Sequence, residues 1–268
     1  MEAAPKMPDI RDLHPFDSCV TLGRVVHSDY PRCLPTADAV LAMMDRYHIA
    51  EALVHEHHAR LVPPREHGNR RLLEAIKGHP RLHPVWVLEP PKQPGAKAAG
   101  ALVEDMLAAG IRVARLPMKV IPPLPWLWED LCAALAEHHV PCFLDFGEVS
   151  TRGDLTDHDV RGVRAIALAH PGLPLILSHI MGGLGIHPAI VPLTRRTRNV
   201  HIDIGAMLEF WREVACEVGP ERVLFATGAP FTDPGIHLAN VQYAREIGAE
   251  AKKMIYGDNL RRLIGQVR

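Results

Sequence analysis

No stretch of this 268-residue chain reaches the roughly 18 uninterrupted apolar residues that a transmembrane helix needs, so no membrane association is expected. The opening MEAAPKMPDIRDLHP carries acids and prolines where a signal peptide would have an apolar core. An excess of either charge is also missing. The 30 Lys+Arg against 31 Asp+Glu leave a formal charge of −1, so nothing draws the chain to nucleic acid, and a small-molecule partner is expected. There is no C-x-x-C pair. The five cysteines (Cys19, Cys33, Cys132, Cys142, Cys216) are odd in number and scattered, as reduced thiols in the cytoplasm would be. No G-x-G-x-x-G or Walker loop follows an apolar run, which argues against a nucleotide cofactor. With no linker or low-complexity segment, one domain over 1–268 is expected, residues 1–14 forming an irregular arm.

What is present is the composition of a packed domain, 47% hydrophobic and 23% charged, at a length that one α/β barrel of roughly 250 residues would consume. Short apolar runs alternate with longer amphipathic ones. Strands are expected at Phe16–Leu22, Ala52–His55, Leu82–Leu88, Ile111–Leu116, Val140–Phe146, Leu173–Ser178, Val200–Ile204 and Val223–Ala226. Helices are expected between them, among them one from the Thr36 cap through Tyr47, one from an Asn69 cap to about Gly78, and Pro125–His139. Apolar strands separated by helices indicate a parallel sheet, and about eight such units indicate a closed (β/α)8 TIM barrel. The Pro-rich pieces starting at Glu89 and Ile121 fall where strand-to-helix loops belong.

In such barrels the reacting groups come from the C-terminal ends of the strands. Several expected strands end in ionisable residues: His55 with Glu56, His57 and His58 behind it, Arg115, Asp145, His179 and Asp203. Asp145 can serve as a metal ligand, as a general base, or as the acceptor that sets the tautomer of an imidazole; equally it can pair with Arg115. Arg115 and Arg24 suit capture of a substrate carboxylate, or internal ion pairs. Asp203 either faces the barrel mouth or caps the next helix. His55 and His57, two apart, would share one side of an extended strand end. The alternative leaves His57 and His58 on a solvated loop, with His55 bonding across the mouth. Cys19 is a reactive thiol or a packing residue, and the His138-His139 doublet reads as surface.

Five segments carry a resemblance: Asn69-Arg-Arg-Leu-Leu-Glu, Arg81-Leu-His-Pro-Val-Trp-Val-Leu, Leu175-Ile-Leu-Ser-His-Ile-Met-Gly-Gly, Asn199-Val-His-Ile-Asp-Ile-Gly and Ile255-Tyr-Gly-Asp-Asn-Leu-Arg-Arg-Leu. Together, along almost the whole chain, they resemble the amidohydrolase-related family of metal-dependent TIM barrels, which includes decarboxylases of aminocarboxymuconate-semialdehyde type. The resemblance implies a hydrolase or carboxy-lyase acting on a small carboxylated cyclic or aromatic compound, a divalent metal such as zinc, and a homodimer. It also assigns the ligand positions, where this chain departs from the pattern. The His-x-His of strand one corresponds to Cys19 and Thr21, the strand-five His to Asp145, and the Asp after strand eight to Gly228. His179 alone is unchanged. Catalytic zinc needs about three protein ligands and an open position. Two readings follow. In the first, His179, Asp145 and His55 form the reacting cluster and hold any metal, while Arg115, Arg24 and Asp203 bind substrate. In the second, the barrel has lost its metal site and is catalytically silent, binding a ligand or partner.

Overall fold

The computed structural model describes residues 9–24, 33–93, 95–147, 155–178, 188–205 and 210–268. Nine parallel strand segments run in chain order: β1 (Phe16–Leu22), β2 (Glu51–Glu56), β3 (Leu82–Pro84), β4 (Trp86–Val87), β5 (Ala114–Leu116), β6 (Cys142–Asp145), β7 (Leu175–Ser178), β8 (Val200–Asp203) and β9 (Val223–Leu224). β3 and β4 are two halves of one stave. β3 pairs with β2 and β4 with β5, and Val85 between them still donates its N–H to Val54 O at 2.8 Å. The ring closes between the last stave and the first: Ser18 N donates to Phe225 O (3.0 Å), Gly228 N to Cys19 O (3.1 Å) and Thr21 N to Ala229 O (2.8 Å), with Val20 and Ala229 forming a parallel bridge. The expected eight-stave TIM barrel is the architecture found, with strands buried on both faces as a parallel sheet requires.

The helices are α1 (Ala37–Arg46), α2 (His57–Leu61), α3 (Arg65–Ala75), α4 (Ala96–Ala108), α5 (Pro125–Glu137), α6 (Asp157–Ala169), α7 (Ile190–Arg196), α8 (Trp211–Glu217), α9 (Pro234–Gln242), α10 (Ala249–Lys253) and α11 (Asn259–Gly265). Local signals set their ends. Thr36 accepts from Ala39 N at the start of α1, Thr156 and Asp159 form a reciprocal capping box on α6, and Pro125 takes the first position of α5. The two Pro-rich pieces do lie in the β4–α4 and β5–α5 loops.

Some boundaries differ from expectation. α3 begins at Arg65, so Asn69 is not its cap but lies one turn inside. There its side chain serves a different partner, donating to Val87 O and accepting from Val87 N, both at 3.0 Å. Those two bonds splint the stave where the β3–β4 interruption leaves it short of ladder partners. Asn69→Ala would leave both buried groups of Val87 unsatisfied, and is expected to cost about 2 kcal/mol of stability, read as a lower urea midpoint with unchanged slope. Part of the expected N-terminal arm is also ordered, Ile10–Leu13 forming one 3-10 turn capped by Asp9. α10 and α11 are joined by a π turn at Met254–Asp258.

Inside the ring, Phe16, Leu53, Val85, Val113, Phe143, Ile176 and Leu224 form one apolar cluster that Leu260 and Leu263 close from below. Inward side chains recur every two residues along a strand. Two residues beyond Leu53, Val113, Phe143 and Ile176 come His55, Arg115, Asp145 and Ser178, every one buried. The pleat therefore stacks a polar layer on an apolar one, at the C-terminal rim.

Candidate functional site at the barrel mouth

Asp145, at the end of β6, is the hub of that polar layer. Arg60 Nε donates to its Oδ2 at 2.6 Å and Arg60 Nη2 to its Oδ1 at 3.0 Å, a two-pronged carboxylate clamp. Arg115 Nη1 donates to Oδ2 at 3.0 Å, and Gly147 N to Oδ1 at 2.9 Å. Of the alternatives open to Asp145, the structure has the pairing with Arg115, and adds a second guanidinium. Arg115 is fully buried, with its Nη1 also on Ser178 Oγ (3.3 Å), its Nη2 on Cys19 Sγ (3.5 Å) and its Cζ 5.0 Å from the centroid of the Phe143 ring. Burial alone would lower the Arg115 pKa, but Cys19, Asp145 and Asp203 outweigh it and the net shift is upward.

Near the start of β1, Asp17 lies wholly buried beside the last stave. Its Oδ1 accepts from Cys19 N (3.0 Å) and Thr227 N (2.9 Å), and its Oδ2 from Thr227 Oγ1 (2.5 Å). Desolvation nonetheless lifts its pKa to about 7, against those hydrogen bonds and with the help of the Asp203 charge. Asp203 faces the mouth: it is buried, its Oδ1 accepts from Gly205 N (3.2 Å), and both Asp17 and Arg115 feel its charge. It is not a cap for the next helix, which begins at Trp211 behind Phe210.

His55 faces inward from β2 and shares a hydrogen bond with Thr21 Oγ1 through Nε2 at 2.9 Å, the register of β1 and β2 setting the two side by side. His57 corrects both readings of its sequence. β2 ends at Glu56 and His57 opens α2, so the two histidines do not share an extended face; nor is His57 solvated, being buried with its ring 6.2 Å from that of Phe231. His58 is the more exposed one, its Nδ1 3.2 Å from Glu56 Oε1. His138 and His139 do lie at the surface, against the carbonyls of Arg268 and Gly172. Arg24 is exposed, unlike the buried layer. His179 lies outside the described residues.

The structure therefore joins Arg115, Asp145, Asp203 and Cys19 into one electrostatic unit and puts His55 with Thr21. It also adds Arg60 and Asp17, which the sequence reading missed, and Thr227, at the polar end of the last expected strand. Asp17 had a signal, since it stands second in the strand that carries Cys19 and Thr21. Arg60 had none: it stands on a five-residue helix and meets its partner 85 residues on. Among the described residues, no three His, Cys, Asp or Glu side chains are grouped to hold a metal ion. Nor is any helix among them long and apolar enough to cross a membrane.

Residues 21–266 match the amidohydrolase family. No curated protein sequence matches the chain. Among solved structures, the chain is similar to 2,6-dihydroxybenzoate decarboxylase from Rhizobium (17% identity, TM-score 0.66, covering 94% of this chain and 98% of that one). It is similar also to 5-carboxyvanillate decarboxylase from Sphingomonas paucimobilis (13%, TM-score 0.69, 96% and 100%). A third is a dihydroxybenzoic acid decarboxylase from Polaromonas, solved with manganese and an inhibitor (16%, TM-score 0.66, 94% and 96%). At these identities the likeness is one of fold.

Proposed function

This chain belongs to the amidohydrolase family, and from that premise we propose that it is a carboxy-lyase or hydrolase acting on a small carboxylated cyclic or aromatic compound at its barrel mouth. One observation carries the proposal. Arg60, Arg115, Asp145 and Asp203 are all buried around the C-terminal ends of the staves, and Asp17, buried near the start of β1, feels the Asp203 charge. A water-excluded cluster of charges is expensive to fold, a hydrophobic replacement being often neutral or better, so its presence at this rim favours chemistry over scaffolding.

The residues divide the work as follows. Asp145 orients both guanidiniums. Arg60, 4% exposed, uses Nε and Nη2 on Asp145 and Nη2 on Gly147 O, which leaves Nη1 to receive the substrate carboxylate. Arg115, enclosed behind it, supplies positive potential. His55, oriented by Thr21, and His179 carry protons to and from the substrate, and Asp17, poised near neutrality, takes up charge changes. The donors among the described residues do not fit a divalent metal centre. The five cysteines, scattered and none of them in a disulfide, fit a reducing cytoplasm.

The test is a panel of hydroxybenzoates, carboxylated phenols and lactone acids, followed by CO2 release and by ring opening. Turnover of one class is expected, falling by about 100-fold or more in His179→Ala. An unaltered rate in that variant removes His179 from the mechanism. The silent, ligand-binding barrel is favoured by Thr21 and Gly228, which leave two expected ligand positions without a good donor; no turnover across the panel, with binding retained, decides for it.

A further inference from the structure

We propose that the Arg115 guanidinium, bridging Cys19 and Asp145, is the resident cation of this barrel, standing where the family's divalent ion would stand and keeping that ion out. The inference rests on family membership but not on the enzymatic reading, since its test measures metal and not turnover.

Four of the five ligand positions are described, and none offers a free donor in place. Cys19 Sγ takes an N–H from Arg115 Nη2 at 3.5 Å. Asp145 has both oxygens filled, by Arg60 at 2.6 and 3.0 Å, by Arg115 at 3.0 Å and by Gly147 N at 2.9 Å. Thr21 is an alcohol, a poor ligand for zinc, and its oxygen is shared with His55 Nε2. Gly228 has no side-chain donor, and its backbone is turned to φ +65°, where a Cβ would come 3.0 Å from Gly205 O and 3.3 Å from Thr232 Oγ1. The missing acid cannot be restored there by a simple side-chain swap.

The cation in their midst is fixed. Arg115 is fully buried, stacked 5.0 Å over Phe143, tied to Ser178 Oγ at 3.3 Å and anchored from one strand by partners on three others. A divalent ion bound by Cys19 and Asp145 would have to displace that guanidinium or sit against it in a low-dielectric interior, where like charges repel most. The permanent charge of arginine also frees the site from metal supply, and from the need to deprotonate a thiol.

The full-length protein, purified from cells grown with added zinc and manganese, is dialysed and assayed for bound metal, then titrated with Co2+ while the thiolate-to-cobalt absorption band is followed. Fewer than about 0.1 equivalents of metal and no band are expected of the wild type. In Arg115→Met, which keeps the stem but removes the charge, the cation beside Cys19 and Asp145 is gone, and a Co2+ band with at least about tenfold tighter uptake is expected. Arg115→Lys keeps the charge and should stay metal-free. One equivalent of metal retained by the wild type overturns the proposal, and so does a folded R115M that still excludes cobalt. If R115M does not fold, wild-type occupancy and R115K decide between the two.

Discussion

Asp145→Ala is expected to lower the melting temperature by roughly 10 °C. The reasoning is electrostatic. Asp145 is the acceptor for two buried guanidiniums, Arg60 and Arg115, and neither has another acidic group at hydrogen-bonding distance among the described residues. Removing one member of a buried charge network leaves the others uncompensated, at about 3–5 kcal/mol, whereas deleting all members together can be nearly neutral. For a chain of this size each kcal/mol moves the midpoint by about 2–4 °C. The network account makes a further demand. Adding Arg115→Met to Asp145→Ala should recover a substantial part of the loss, because the stranded cation goes with its partner, giving a coupling energy of about 2 kcal/mol in the double-mutant cycle. Strict additivity in that cycle, or a single variant melting within about 2 °C of wild type, would show that Asp145 is not the counter-charge the geometry makes it.

The second large effect is a pH dependence. Asp17 has its pKa raised to about 7, from 3.8, chiefly because its carboxylate is stripped of water. A raised folded-state pKa means that the native chain binds the proton more tightly than the unfolded one. The stability this contributes is fully present below about pH 4 and is lost as pH rises through about 7. The whole change is on the order of 4 kcal/mol. Carboxylates with lowered pKa, such as the partly exposed Glu51 held by Arg261 and His83, act in the opposite sense below about pH 5. The Asp17 part is therefore isolated by comparison. Between pH 5 and pH 8, Asp17→Asn should lose less stability than wild type, and at pH 8 should be the more stable of the two. Thermal or urea unfolding of both proteins at the two pH values reads this directly. Parallel curves would mean that Asp17 is ionised throughout, its three hydrogen bonds outweighing its burial.

The same polar layer shows what could be read from the chain unaided. Runs such as Val140–Phe146 and Leu173–Ser178, apolar on both faces and spaced by helical patterns, specify buried parallel staves wherever they end up, because hydrophobic period is a local property. A run that closes in Asp145 or Arg115 puts that group at the rim for the same reason. The pairing of Asp145 with Arg115 was one of the alternatives legible at that stage. The Asn69 cap was misread because a side chain amide suits two jobs equally, and which backbone it serves depends on a strand 18 residues away. The placement of His57 was misread because a two-residue repeat holds only while the chain stays extended, and α2 begins at that residue.

Composition and periodicity were thus sufficient for the closed ring, for the C-terminal mouth and for most of the ionisable groups gathered there, since each follows from the pattern of a single segment. Which charge neutralises which was decided only when the ring closed. Arg60 reaching Asp145, Thr227 donating to Asp17 and Arg115 lying against Cys19 span 85, 210 and 96 residues of chain. Contacts of that range are set by how eight staves tilt and stagger around a common axis, and no local stretch of sequence encodes them.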